Sequence, residues 1–219
     1  MIKAVLFDLD GTLTDTLPDL YESVNYALKQ CGIPEVSLEK VRMSIGNGAS
    51  LLIARVTRGF PEKREEAERI FREHYREHGA ANARKFDGVC ELLEDLGKSG
   101  IKRVIVSNKM NDSVKVIAEK VFGELIDFAV GSDANIRIKP APDGCEFALD
   151  ALGLTRDEAV YVGDSDVDVM TAHGLGMKCV GAAYGYRGRE HLKNAGADYI
   201  ADSVVQLGVM LKALIAQSR

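Results

Sequence analysis

The sequence predicts an α/β fold: an open, Rossmann-like parallel sheet core with an all-helical cap inserted after the first strand. Three observations carry this. Short β-branched runs alternate with segments whose apolar residues recur every three or four positions. One stretch, from about Asp15 to Arg84, breaks the alternation and carries helical signals only. The 219 residues, at ~150 per domain, suit one large domain bearing a smaller insertion. The expected division is 1–14 and 85–219 for the core and 15–84 for the cap.

The first strand is the run Ile2 to Phe7. In the cap, Leu20, Val24, Ala27, Leu28 and Cys31 make one helix face, and Leu52, Ile53 and Val56 a second. Ala67, Ile70, Phe71, His74 and Tyr75 make a third, starting near Pro61, a good first-turn residue. That helix is densely charged, with Glu65–Arg69 and Glu68–Arg72 at favourable spacing, and reads as a solvated face, His74 and His78 included. Back in the core, Val89, Leu92, Leu93 and Leu96 form a stripe closed by Gly97. The strand Arg103–Val106 follows, then a stripe of Val114, Ile117 and Val121 closed by Gly123. The run Phe128–Val130 precedes Cys145, Ala148 and Leu152, closed by Gly153. Ala159–Val162 is the next strand, with weaker ones at Lys178–Val180 and Tyr199–Ile200. Leu207, Leu211, Leu214 and Ile215 form the last helix, with Asp202 as its N-cap.

Composition excludes several classes. The 28 basic and 33 acidic residues give a net charge of −5, which argues against a nucleic-acid or anionic-membrane binder. No apolar run approaches the ~18 residues of a membrane span. The N-terminal apolar run meets Asp8 too early for a signal peptide. Cys31, Cys90, Cys145 and Cys179 are scattered, and read as small hydrophobes in a reducing cytoplasm. Nothing distinguishes a monomer from a homodimer.

Polar clusters sit directly after the strands. Asp8-Leu9-Asp10-Gly11-Thr12 follows the first, and Ser107-Asn108-Lys109 follows Arg103–Val106. Lys139-Pro140 lies beyond Phe128–Val130, and Gly163-Asp164-Ser165-Asp166-Val167-Asp168 follows Ala159–Val162. In an open parallel sheet the carboxyl ends of the strands share one edge, where ligands bind, so four dispersed clusters converge on one site. Several carboxylates in one place would not all stay ionised without a cation. Hard oxygen ligands suit Mg²⁺, and a lysine, a hydroxyl and an amide opposite them suit a phosphate. A carboxylate, Mg²⁺ and a phosphate cradle together suggest phosphoryl transfer. A calcium loop fails: an EF-hand starting at Asp8 or Asp164 would place Leu13 or Val169 where glycine is required.

The order of these residues resembles the haloacid dehalogenase superfamily, specifically its phosphatases. The first motif of that family is matched by Asp8, Asp10, Gly11 and Thr12, with Thr14-Asp15-Thr16 as its extension. Ser107 matches the second motif, Lys139-Pro140 the third, and Gly163, Asp164 and Asp168 the fourth. The resemblance spans almost the whole chain, cap included. It implies Asp8 as nucleophile and Asp10 as general acid and then base. It implies Mg²⁺ held by Asp8, the Asp10 carbonyl and Asp164, and phosphoryl oxygens bound by Ser107, Asn108 and Lys139. Asp168 would orient Lys139 or the metal waters. The activity expected is Mg²⁺-dependent hydrolysis of a small phosphorylated metabolite through an aspartyl-phosphate on Asp8.

Displacing halide needs neither a metal nor an acid, so Asp10 and the Asp164 cluster favour a phosphatase over a dehalogenase. No lysine lies between Lys40 and Lys63, against a cap Schiff base of the kind that cleaves phosphonates. A sugar phosphomutase or a pyrophosphatase on the same core remains an alternative, as does a non-catalytic phosphate-binding protein. The cap segment Ile45-Gly46-Asn47-Gly48-Ala49-Ser50-Leu51-Leu52 is similar to the cap of phosphoglycolate phosphatases. A glycine-flanked turn entering a helix offers free backbone N–H groups to an anion. The expected substrate is 2-phosphoglycolate, its carboxylate received by Gly46, Asn47 and Gly48 with Arg42 or Arg55 assisting. A plain glycine-rich link between cap helices is the competing reading.

Overall fold

A computed structural model describes residues 1–79, 83–133 and 135–218. The chain opens with β1 (Ala4–Phe7) and β2 (Thr14–Asp15), then α1 (Leu17–Gln30), α2 (Leu38–Arg42), α3 (Gly48–Val56) and α4 (Arg64–His78). Next come β3 (Arg84–Lys85), α5 (Val89–Lys98), β4 (Lys102–Met110), α6 (Asn111–Ile117) and β5 (Phe128–Ser132). The chain ends through α7 (Asp143–Leu152), β6 (Ala159–Gly163), α8 (Asp166–Gly174), β7 (Lys178–Ala182), α9 (Arg189–Ala195), β8 (Tyr199–Ala201) and α10 (Val204–Gln217).

Six strands form one sheet in the order β5-β4-β1-β6-β7-β8, and every pairing is parallel. The strand residues alternate between two hydrophobic layers, as the two-residue strand period requires. Val5 and Phe7 pack with α5, α6 and α10 on one face, while Ala4, Leu6 and Tyr161 pack with α7, α8 and α9 on the other. A sheet buried on both faces explains why its strands read as continuous apolar runs. α1 to α4 build a third hydrophobic cluster, centred on Val24, Leu28, Ile53 and Phe71. Tyr186, from the loop after β7, is buried in that cluster. No helix among the described residues is long and apolar enough to cross a membrane.

Several local expectations change. The segment 15–84 is not purely helical at its ends, because β2 pairs antiparallel with β3. Residues 80–82 of that segment lie outside the described residues. Gly97 does not close α5 but lies within it, where its missing Cβ makes room for the Arg103 guanidinium. The N-cap of α10 is Ser203, whose hydroxyl accepts from Gln206 N at 3.2 Å. Asp202 instead pairs with Arg189 at 2.6 Å. In α4, Glu68–Arg72 forms at 2.7 Å, but Arg69 turns to Glu73 at 2.9 Å rather than to Glu65.

Candidate active site

β1 is flanked by β4 and β6 in matching register: Phe7 faces Ile105 on one side and Val162 on the other. The residues beyond these positions leave the sheet side by side, and Asp8 N still donates to Val162 O at 2.9 Å. The chain then doubles back through Gly11, whose φ of 86° favours glycine. A Cβ at Gly11 would also sit 2.5 Å from Asp164 Oδ2. In β4 the register shifts between Val106 and Met110, so Ser107, Asn108 and Lys109 depart from the regular ladder. Asp8, Asp10, Ser107, Asn108, Lys109 and Asp164 line one open-mouthed cleft of about 670 Å³ with the cap residues Ile45, Gly46, Gly48 and Tyr75. The sheet edge thus gathers residues that the sequence spreads over 157 positions, from 8 to 164.

The electrostatics explain what such a site needs. Burial pushes the Asp8 carboxyl up to about 6, against the pull of the Lys139 ammonium and with the repulsion of Asp168 and Asp10 behind it. Asp164 is held well above the usual carboxylate range by burial and by Asp168 and Asp8. Oxygens of Asp8, Asp164 and Asp168 lie within 4.8 Å of one another. Asp168 is fully buried and already committed: its Oδ1 accepts from Lys139 Nζ at 2.7 Å, and its Oδ2 from Ser165 N and Oγ at 3.1 and 2.6 Å. Asp8 and Asp164 therefore suit a hard divalent cation better than Asp168 does. A cation between them would relieve the cost of two buried carboxylates, and Mg²⁺ fits a set of one or two carboxylates plus waters and substrate oxygens.

Asp164 is braced from the loop after β7, where Tyr186 N donates to its Oδ2 at 2.7 Å. That loop passes so close that a Cβ on Gly185 would meet Gly11 O at 2.2 Å and Asp164 Cβ at 2.5 Å. Gly185→Ala should therefore lower both the melting temperature and the affinity for Mg²⁺, read by thermal unfolding with and without the ion.

Lys139 lies behind the cleft wall rather than in it, 4% exposed. Its three ammonium donors meet Asp8 Oδ1 at 2.9 Å, Asp168 Oδ1 at 2.7 Å and Tyr161 Oη at 2.9 Å. Burial works against this charge, but Asp168 and Asp8 outweigh it and hold the pKa well above that of free lysine. The Tyr161 hydroxyl passes the chain on to Val106 O at 3.0 Å. Asn108 also differs from expectation. Its amide nitrogen donates to Gly46 O and Lys139 O at 3.0 Å, and its oxygen accepts from Lys139 N. The side chain is spent on tying cap to core. Ser107 lines the cleft, and its hydroxyl accepts a long bond from Lys109 N, at 3.3 Å.

Asp10 is held by Lys109 and Thr16, which stand in the polar clusters of the sequence but have no assigned role there. Lys109 Nζ lies 2.9 and 3.0 Å from its two oxygens, and Thr16 Oγ1 donates to Oδ1 at 2.6 Å. The same ammonium sits 4.6 Å from the centre of the Tyr75 ring. Lys109 belongs to the Ser107-Asn108-Lys109 cluster after the strand, whereas Tyr75 reads in the sequence as one more apolar position of α4. The Tyr75 hydroxyl is buried and has no hydrogen-bond partner among the described residues.

In the cap, Gly46 and Gly48 line the cleft, whereas Asn47, Arg42 and Arg55 do not. Arg55 binds Ser44 O at 2.9 Å and Asn47 Oδ1 at 2.7 Å, so both side chains serve to shape the turn. Arg42 pairs with Glu39 and reaches across to Tyr186 O at 2.6 Å. The arginine that does reach the cleft is Arg187, whose guanidinium donates to Ile45 O at 2.5 Å and Met43 O at 3.3 Å.

Comparison with known proteins agrees with this arrangement. Residues 5–182 match the family model described as haloacid dehalogenase-like hydrolase. A phosphoglycolate phosphatase of Vibrio cholerae serotype O1 is 31% identical over 226 residues, covering 99% of each chain. A candidate phosphoglycolate phosphatase from Lactobacillus delbrueckii subsp. bulgaricus superposes with a TM-score of 0.89 at 30% identity, covering 95% of this chain and 98% of that one. CbbY from Rhodobacter sphaeroides, solved in complex with phosphate, superposes with a TM-score of 0.77 at 26% identity over 95% of this chain and 97% of its own. By its sequence motifs, its capped parallel sheet and these likenesses, the chain belongs to the haloacid dehalogenase-like hydrolases.

Proposed function

We propose that the chain is a Mg²⁺-dependent phosphatase of small phosphate monoesters, with 2-phosphoglycolate as its preferred substrate, acting through an aspartyl-phosphate on Asp8. The observation that carries this is the placement of Asp8: buried, bonded to Lys139, within reach of Asp164, and on the wall of the same cleft as Ser107 and Asp10. The names of the relatives supply the substrate. The family's usual division of labour fits the residues present.

A carboxylate oxygen of Asp8 attacks phosphorus, and the bond from phosphorus to the ester oxygen breaks. Asp10 gives its proton to that oxygen, releasing an alcohol. Asp10 then takes a proton from water, whose oxygen attacks the aspartyl-phosphate and returns the free carboxylate with inorganic phosphate. Lys139 holds the Asp8 carboxylate in place and offsets charge behind it, and Ser107 offers its hydroxyl to a phosphoryl oxygen. Asp8, Asp164 and the Asp10 carbonyl would hold Mg²⁺, whose chemistry there is to neutralise phosphoryl charge. The protein mainly positions groups and neutralises charge, as phosphoryl transfer requires. Cap side chains over the mouth exclude water.

The test is phosphate release from 2-phosphoglycolate, sugar phosphates, nucleotides, pyrophosphate and an aryl phosphate, with Mg²⁺ and after chelation. The expected result is Mg²⁺-dependent release with the highest kcat/KM for 2-phosphoglycolate. No release from any ester in the presence of Mg²⁺ would overturn the proposal.

A further inference from the structure

The Tyr75 hydroxyl is an anomaly of the cleft. Its residue is 2% exposed, it lines the cavity, and the oxygen has no hydrogen-bond partner among the described residues. The rest of the ring is well used: it stacks on Phe71 with centroids 5.4 Å apart and carries the Lys109 ammonium on its face. Phenylalanine would keep both contacts and avoid burying an unpaired hydroxyl. A buried polar group of this kind in a ligand cleft is satisfied when the ligand arrives.

The surroundings say what the ligand atom must be. The neighbouring wall is apolar, from Leu20, Leu52 and Phe71. The nearby cation is Lys109, whose ion-pair partner among the described residues is Asp10. When Asp10 serves the ester oxygen, the ammonium loses that pairing and can take up another anion. The cap arginines Arg42 and Arg55 are bonded elsewhere.

We propose that Tyr75 and Lys109 receive the end of the substrate remote from phosphorus: the Tyr75 hydroxyl donates to a carboxylate there and the Lys109 ammonium pairs with it. The pair sets the preference for an ester whose alcohol carries a carboxylate. This deepens the phosphatase reading above and rests on it.

The experiment compares 2-phosphoglycolate with ethyl phosphate, which has a methyl group in place of the carboxylate, in the wild type and in Tyr75→Phe. The wild type should prefer 2-phosphoglycolate. Tyr75→Phe should cut the ratio of the two kcat/KM values about tenfold or more, mostly through KM for 2-phosphoglycolate. Its melting temperature should equal or exceed that of the wild type, so a fold defect does not enter the comparison. A ratio unchanged in Tyr75→Phe overturns the proposal and leaves the phosphatase reading standing. A wild type without preference overturns it as well. A wild type that hydrolyses neither ester with Mg²⁺ present overturns the phosphatase reading itself, and this proposal with it.

Discussion

Replacing Asp8 by asparagine should reduce kcat by about 10⁴-fold or more, because an amide cannot form the bond to phosphorus that the first step needs. The fold should survive. Asn keeps an oxygen that can accept from Lys139 Nζ, now 2.9 Å from Asp8 Oδ1. Steady-state rates together with a thermal melt check both halves. A variant that keeps more than a few per cent of activity would show that another group attacks phosphorus. A variant that loses activity only because it melts early would show that Asp8 is structural first.

The second large effect belongs to Asp168→Ala. Asp168 is fully buried and holds three donors: Lys139 Nζ, Ser165 N and Ser165 Oγ. Truncating it leaves a buried ammonium with one carboxylate instead of two, and leaves the start of α8 without its carboxylate acceptor. Breaking a buried pair from one side costs about 3–5 kcal/mol. At roughly 2–4 °C per kcal/mol for a chain of this size, the melting temperature should fall by about 6–20 °C. The activity should fall with it, since Lys139 positions Asp8. Denaturant midpoints and melting temperatures are the measurement, and an unchanged midpoint would mean that Asp168 can be spared. The contrast with Asp8→Asn is diagnostic: one substitution removes chemistry and keeps the fold, the other removes the support beneath it.

The sheet was legible because β1, β4 and β6 are buried on both faces and so read as uninterrupted apolar runs. The convergence of Asp8, Ser107 and Asp164 was legible for a related reason, since parallel strands force their carboxyl ends to one edge. The β2–β3 pair was not, because two residues per strand are too few to show a period. Asp202 and Ser203 are both good cap residues, and only the distant Arg189 decides between them by engaging Asp202. The same limit applies in the site. Nothing near Asn108, Arg42 or Arg55 in the sequence says that their donors are spent on Gly46 O, Tyr186 O and Ser44 O. Nothing near Lys109 says that it meets both Asp10 and Tyr75, 99 residues before and 34 residues before it. Periodicity reports burial and strand direction; it does not report which partner a donor finds across the fold.

The measurement that tests the central claim most directly is the stereochemical course at phosphorus, using a phosphorothioate monoester made chiral with oxygen isotopes and hydrolysed in isotopic water. Attack by Asp8 followed by attack of water inverts phosphorus twice, so the account predicts net retention of configuration. Net inversion would mean that water attacks the ester directly, and would contradict the assignment of Asp8 as nucleophile.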